Sequence, residues 1–547
     1  MIKRLLNSQT KNITSAALIL GAANLVSAFL GLFRDRLLAQ TFGAGDVLDI
    51  YYAAFKIPDF IAMLLIMGAI SAAIIPVFSQ YLARSKEEAW EFTSALLNLF
   101  LIFLICVSVV LVIFTPYLIS LIAPGFHGEK KELTIFLTRI MFLSPVLLGI
   151  SNIISGILQV FRRFLVTALA PIMYNLGIIL GILFFLPKFG ISGLAWGVVL
   201  GGVLHLAIQL PVFFSSGFRH RKILTLAHGG VAKVIKLTIP RSLGLAASQI
   251  NVIVMTAIAS TLVSGSIAIF NLANNLIYIP VGLIAVPFST AAFPILSLKF
   301  FENSKKEFLE KFSSTFSQIL FLMIPFSFLF FILRAQIVRI VLGVGHFGWL
   351  DTRLTAACLG LFSIGIFAQG LILLISKTFY AVQNTKIPAL ISIASVILNV
   401  ILSVSFVWLL KFPNIFQQIT QSFLKLGDLK NIEVIGLPLA ISVSGIFQFI
   451  LLLLFLYREI GDFRLKELWA SLSKIILASI VMVAVVYLAM QAVSLKLNTQ
   501  TFLGVFLEAL FAGATGVIVY LLLTFFLGSP EIKIIKSSIS EQFARKQ

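Results

Sequence analysis

The chain has 547 residues, of which 60% are hydrophobic and only 11% charged, with a mean hydropathy of +1.07. A soluble domain carries about a quarter charged residues, so a soluble multidomain enzyme is excluded, and apolar runs able to cross a hydrocarbon core about 30 Å thick recur throughout. The formal net charge of +20 does not mark nucleic-acid binding, because the basic residues sit in short loops and form no domain or arm.

The first apolar run follows a positive flank, but no small-residue cleavage site closes it, so it reads as a retained first helix and not as a signal peptide. Fourteen spans are predicted, at 13–40, 48–82, 90–120, 133–160, 165–187, 191–216, 234–262, 266–298, 311–341, 353–382, 387–410, 434–457, 468–494 and 501–528. Several exceed the roughly twenty residues that a crossing needs, so tilt, kinks or interfacial ends are expected. The fold class is an all-α polytopic membrane protein.

Placing the N-terminus inside gathers Lys3, Arg4, Lys11, Arg84, Lys86, Arg162, Arg163, Arg219, Arg221, Lys222 and a basic tail from Lys533 on the cytoplasmic side. The other side keeps few cations, chiefly Lys130, Lys131, Arg334, Arg339, Lys425 and Lys430. Both termini are therefore expected in the cytoplasm. Cys106 and Cys358 lack a CxxC or histidine partner, and no Walker loop, HExxH or GxSxG is present, so neither cofactor, metal nor ATP is expected.

An internal repeat is visible by eye. AQTFGAGDVLD from Ala39 aligns with ASTLVSGSIAI from Ala259, SAAIIPVFS from Ser71 with STAAFPILS from Ser289, and GLAWGVVLGGVLH from Gly193 with GLPLAISVSGIFQ from Gly436. An even number of spans separates the copies, which predicts two six-helix lobes in parallel orientation, 1–222 and 223–460, followed by a helix pair at 461–528 and a basic tail at 529–547. Transporters with such repeats hold their substrate between the lobes.

Charges inside spans are costly and normally face a wet cavity or a partner. Arg34, Asp35 and Arg36 fall near the outer end of the first span, where either Arg34 faces a cavity or both arginines simply end the helix. Asp49, Lys56 and Asp59 share one face of the second span, with a Lys56–Asp59 pair as the structural alternative. Arg241 follows Pro240 early in the seventh span and either binds an anionic headgroup or anchors to lipid phosphate. His205, Gln209, Asn274 and Asn275 read as interhelical hydrogen-bond partners before they read as ligands, and Glu508 as pairing with a neighbour or lining a peripheral groove. Pro280, Pro287 and Pro294 in the eighth span, and Pro58, Gly68 and Pro76 in its counterpart, predict two bent helices.

LGLFRDRLLAQTFGAGDVLDIYYAAFKIPDF, AISAAIIPVFSQY, IAPGF, APIMYNLGIILG, GLAWGVVLGGVLHLAIQLP and PRSLGLAASQINVIVMTAIASTLVSGSIA resemble, in order and over nearly the whole chain, the MurJ (MviN) family of lipid II flippases. The resemblance implies a flippase that carries the undecaprenyl-pyrophosphate-linked peptidoglycan precursor across the bacterial cytoplasmic membrane by alternating access. It implies a cationic central cavity, and a groove near the last two helices that takes the lipid tail. Its partners are then lipid II and membrane lipids, not nucleic acid, and the protein is expected to be a monomer. Carried over by motif, the LGxxRD arginine is Arg34, followed by Asp35; the acid after FGAG is Asp49, and the AFKxP lysine is Lys56. Arg34 is then the group that meets pyrophosphate, which suits a guanidinium.

The chain departs from the family at Ala28, at Ala62, Met63 and Met67, and in the Asn274–Asn275 stretch, where cationic or acidic residues are usual, and Arg241 is the candidate replacement. The alternative function is a related exporter of another polyprenyl-linked glycan or an amphipathic drug. A membrane scaffold ranks last, because it does not need bent, charged helices at equivalent places in both repeats.

Overall fold

The computed structural model describes residues 13–64, 73–225 and 228–532, with side chains from residue 19 onward apart from 239–248. The expected roles of Lys3, Arg4, Lys11, Met67, Gly68 and the basic residues from Lys533 on lie outside these described residues, as does the side chain of Arg241.

Among the described residues there are helices and no strand. In chain order they are α1 (Ile13–Phe42), α2 (Asp46–Ala62), α3 (Ile75–Leu82), α4 (Lys86–Ile122), α5 (Gly128–Met141), α6 (Leu143–Val160), α7 (Phe164–Leu180), α8 (Leu186–Phe189), α9 (Ser192–Ala207), α10 (Leu210–Ser215) and α11 (Gly229–Ser260). They continue with α12 (Ser266–Pro280), α13 (Val286–Phe301), α14 (Lys305–Ile332), α15 (Arg334–Val341), α16 (Trp349–Ala381), α17 (Lys386–Lys411), α18 (Ile415–Leu424), α19 (Gly436–Ile460), α20 (Leu465–Ser494) and α21 (Phe502–Phe526). Among the described residues, eleven continuous helical stretches are long and apolar enough to cross a membrane. The segments expected as the first, second and seventh spans are helical as well, in α1, in α2 with α3, and in α11. With 37 residues, α4 extends roughly 55 Å at 1.5 Å per residue; it therefore outruns the hydrocarbon and must tilt or project from it.

The chain divides into two compact units, Met1–Ala268 and Ile269–Gln547. In the first, Phe78, Trp90, Phe92, Phe213 and Phe218 are the large side chains of a buried cluster that joins α3, α4 and α10. Beside it runs a polar seam between α6 and α9: Ser151 Oγ meets His205 Nδ1 at 2.7 Å, Ser155 donates to Gln209 at 2.7 Å, and Gln209 Nε2 donates to Ser151 Oγ at 2.7 Å. His205 and Gln209 are thus interhelical partners, as their sequence context implied. In the second unit α16 is largely buried, and Ser442 Oγ of α19 donates to the Leu361 carbonyl at 2.7 Å. There α20 and α21 pack on α14, and the Tyr520 hydroxyl donates to the Phe321 carbonyl at 2.7 Å.

Proline marks one bend directly. After Pro280 the helix widens into a π-turn over Val281–Ala285, where the Val286 N–H donates five residues back to the Val281 carbonyl. The equivalent first-unit helix has π-turn residues at 63–64 and 73–74. A further π-turn at Gly181–Phe185, between α7 and α8, had no sequence expectation.

The ninth span departs from its expected form. It stops at Leu333, and 334–341 forms a separate short helix, α15. Arg334 and Arg339 explain the break, because two guanidiniums within one eight-residue stretch resist continuing through hydrocarbon.

Glycines set the approach of α9 to α7. A Cβ on Gly177 would lie 2.3 Å from Gly201 Cα, and one on Gly181 would lie 2.3 Å from Gly197 Cα. Gly193, Gly197 and Gly201 recur every fourth residue, which is the small-xxx-small pattern that lets membrane helices touch backbone to backbone. Gly181→Val should therefore lose about 1–3 kcal/mol through overpacking, seen as a lower melting temperature in detergent. Gly445→Ala, where nothing lies within 4 Å of the added carbon, should leave the melt unchanged.

Candidate functional site

Ser27 and Arg34 are seven residues apart on α1 and share a face. Both meet Asn175, which α7 presents opposite. Arg34 Nη1 donates to Asn175 Oδ1 at 3.2 Å, while Asn175 Nδ2 donates to Ser27 Oγ at 3.1 Å and to the Ser27 carbonyl at 3.2 Å. Asp35 turns back on its neighbour: Arg34 Nε and Nη2 both donate to Asp35 Oδ1, at 3.0 and 2.8 Å. The Arg34 side chain is 20% exposed and that of Asp35 only 3%. The guanidinium is therefore oriented from two sides and its charge is compensated, yet N–H donors on its terminal nitrogens still have room for an acceptor.

Around this pair stand Tyr51 and Tyr52 of α2, both buried, and Tyr174 of α7, close enough to feel the charges of Arg34 and of Asp59. Lys56 and Asp59 lie one turn apart on α2 and attract each other. Asp59 is exposed on the surface of the first unit. One face of α2 with the facing parts of α1 and α7 thus forms a polar, tyrosine-lined cluster. Asn175 and Tyr174 were not singled out from sequence; the MYN stretch before Leu176 carried the only hint.

Asp49 is not in that cluster. Its carboxylate accepts from the Gly265 N–H at 2.8 Å and the Ala268 N–H at 2.9 Å, which caps the start of α12, and from Lys130 Nζ at 3.1 Å. Lys130 also bonds Asp46 at 2.5 Å, and Ser264 Oγ donates to Asp46 at 2.7 Å. Backbone contact tightens the junction: Gly265 has φ +88°, and a Cβ there would lie 2.0 Å from the Ala44 carbonyl oxygen. Gly125 donates its N–H to Ser260 Oγ at 3.1 Å, and a Cβ there would lie 2.0 Å from the Ser260 carbonyl. The FGAGD turn, the APGF turn and the start of the second repeat are thereby latched together.

Asn274 and Asn275 belong to the second unit, half-buried on α12. The backbone of Arg241 lies in α11. Among the described residues no cluster of His, Cys, Asp or Glu could hold a metal ion.

The family model described as "Lipid II flippase MurJ" matches residues 38–508. The chain belongs to that family. The probable lipid II flippase MurJ of Buchnera aphidicola subsp. Acyrthosiphon pisum is 29% identical over 94% of this chain and 98% of its own length. The lipid II flippase MurJ of Burkholderia cenocepacia is 28% identical over 71% of this chain and 77% of its own. A solved lipid II flippase MurJ in an inward closed conformation superposes with a TM-score of 0.75 at 27% identity, covering 93% of this chain and 98% of that one. An inward-facing multidrug resistance MATE family transporter of the MOP superfamily reaches a TM-score of 0.64 at 14% identity over 80% of this chain and 95% of that one, a likeness of fold alone. The chain is a multi-pass membrane transporter, not an enzyme. Asp49 and Lys56 lie inside the matched range, and Arg34 and Asp35 just before it.

Hydrogen bonds to a charged group are worth about 1.5–3 kcal/mol each, so Asp49→Asn should lower the melting temperature markedly. Combined with Lys130→Gln, the losses should be less than additive by about 1 kcal/mol or more. Additive losses in that double-mutant cycle would show that the ion pair plays no part in the latch.

Proposed function

We propose that this protein is a lipid II flippase of the bacterial cytoplasmic membrane, moving the undecaprenyl-pyrophosphate-linked peptidoglycan precursor from inner to outer leaflet by alternating access. The family match over residues 38–508 carries this reading, and the oriented guanidinium of Arg34 supports it chemically. In this reading the residual donors of Arg34 take a pyrophosphate oxygen, with Asp35 and Asn175 holding the plane of the fork. Lys56, Arg241, Asn274 and Asn275 contribute further polar contacts to the headgroup, and Asp49 serves the cycle through its latch: opening at that end requires the carboxylate to release Gly265 and Ala268.

The organisation that accompanies this reading has lobes at 1–222 and 223–460, a lipid-tail groove at 461–528, a cytoplasmic tail at 529–547, both termini inside, and a monomer as the working unit. The many exposed apolar side chains of α20 and α21, among them Leu477, Ile480, Leu488, Leu510 and Phe511, are compatible with a polyprenyl tail. With no nucleotide motif in the sequence, the driving force is the membrane potential or an ion gradient, and a charge crossing the field is worth about 2.3 kcal/mol per 100 mV.

A second reading, export of another polyprenyl-linked glycan or an amphipathic drug, is favoured by one observation. The charge of Arg34 is already compensated by Asp35, and Ala28, Ala62 and Met63 bring no cation to assist it.

Vesicles containing the purified protein should make fluorescent lipid II accessible on the far leaflet. Arg34→Ala should slow transfer about ten- to a hundredfold, the loss of one or two charge-assisted bonds, while Arg34→Lys should recover only part of it. No transfer by wild type, together with tighter binding of a lipid-linked sugar that is not a peptidoglycan precursor, would favour the second reading.

A further inference from the structure

A cavity of about 450 Å³ opens in the second unit, and none of the residues of the Arg34 cluster lines it. Arg334, Gln336 and Arg339 of α15, Arg353 of α16, Lys425 at the end of α18 and Glu508 of α21 line it. Every one of these segments is a helix end or a short helix, so the cavity lies at a membrane face and not at mid-span.

The lining has excess positive charge that is only partly neutralised. Arg353 is held in both hands by Asp428, at 2.5 and 2.6 Å. Arg334 donates to the Phe331 carbonyl at 2.8 Å and stacks on the Phe331 ring at 4.9 Å, while Arg339 donates to the Gln500 carbonyl at 2.8 Å. Both guanidiniums are thus fixed by neutral oxygens, and among the described residues neither forms a salt bridge with a carboxylate. Arg339 feels only the more distant charge of Glu508, and guanidiniums fixed in this way in a concave site are suited to phosphate.

The same cavity also carries acceptors in search of a donor. Glu508 is buried, and Gln336 Nε2 approaches it only at 3.5 Å. Gln336 Oε1 is buried without a hydrogen-bond partner. A bare phosphate satisfies the arginines but not these oxygens, whereas a phosphate bearing a nearby hydroxyl or ammonium satisfies both.

The surroundings identify the source. Trp349, 66% exposed, lines the cavity, α18 carries exposed Ile415, Ile419 and Phe423, and α21 begins with exposed Phe502 and Leu503. An aromatic and apolar rim around a charged pocket is the pattern of the bilayer interface.

We propose that this cavity binds the headgroup of a phospholipid of the adjoining leaflet, its phosphate on Arg334 and Arg339 and its hydroxyl or ammonium donor on Glu508 and Gln336. The bound lipid ties α15, α16 and α18 to the final helix pair. By the distribution of basic loops this is the outer face.

The test measures lipid retention by native mass spectrometry, and melting temperature, on the full-length protein in detergent doped at equal mole fraction with phosphatidylglycerol, phosphatidylethanolamine or phosphatidylcholine. Glycerol 3-phosphate serves as the soluble control. Phosphatidylglycerol and phosphatidylethanolamine should be retained and should raise the melting temperature; phosphatidylcholine, which has the phosphate but no donor, should be retained at least tenfold less. The double variant Arg334→Gln with Arg339→Gln should lose that retention at least tenfold, and Lys474→Gln on α20 should not. Equal retention of phosphatidylcholine overturns the proposal, as does full retention by a folded double variant, and equal protection by glycerol 3-phosphate would make this a site for a soluble phosphate ester. If the double variant does not fold, the headgroup ranking on wild type decides alone.

Discussion

Hydrocarbon offers no water to a backbone amide or to a charge, and each such group must find its partner within the protein. Helices satisfy the backbone, and the buried hydroxyls follow the same logic: Thr93, Thr134, Thr138 and Thr378 each donate to the carbonyl four residues earlier on their own helix, at 2.7–2.9 Å. Arg34 has Asp35 as its next residue, so this ion pair is local and needs no tertiary contact to bring its partners together. The Asn175 bond then fixes where that pair points. Charge compensation comes first in this cluster, and any ligand would have to use the donors that compensation leaves over.

Much of this was legible because hydropathy is a long-range average that single residues hardly disturb. The apolar runs located the helices, and proline, which deletes a donor and crowds the preceding turn, located the widening after Pro280. Two elements escaped for the opposite reason. The break at Leu333 and the helix α18 depend on a few polar residues, Arg334 and Arg339 in one case and Asn414 in the other, whose side chain accepts the Gln417 N–H at 2.9 Å. Within an apolar average those residues look like noise.

The site divided in the same way. Arg34 with Asp35 could be read from adjacency, and Lys56 with Asp59 from helical spacing, since both lie within one turn. Asn175 is 141 residues from Arg34, and a neutral amide in an apolar helix has no pattern that names its partner. Asp49 was legible as an unusual acid but not as a cap: the groups it bonds, the Gly265 and Ala268 amides, are backbone, and backbone leaves no mark in a sequence.

Asp49 also shows how two repeat copies become complementary. The segment from Ala39 aligns with that from Ala259, so Asp49 in the first copy corresponds to Ile269 in the second. The first copy supplies the carboxylate and the second supplies the helix start that it caps; α2 itself begins at Gly45 without a side-chain cap. Had the first copy lost the acid, the first amides of α12 would have lacked their acceptor. The latch is a small number of charge-assisted bonds at about 1.5–3 kcal/mol each, partly offset by water when released, and one charge moved through 100 mV supplies about 2.3 kcal/mol. Holding and driving energies are therefore of one order. A junction of this strength can stay closed at rest and still open when an energy of that size is supplied.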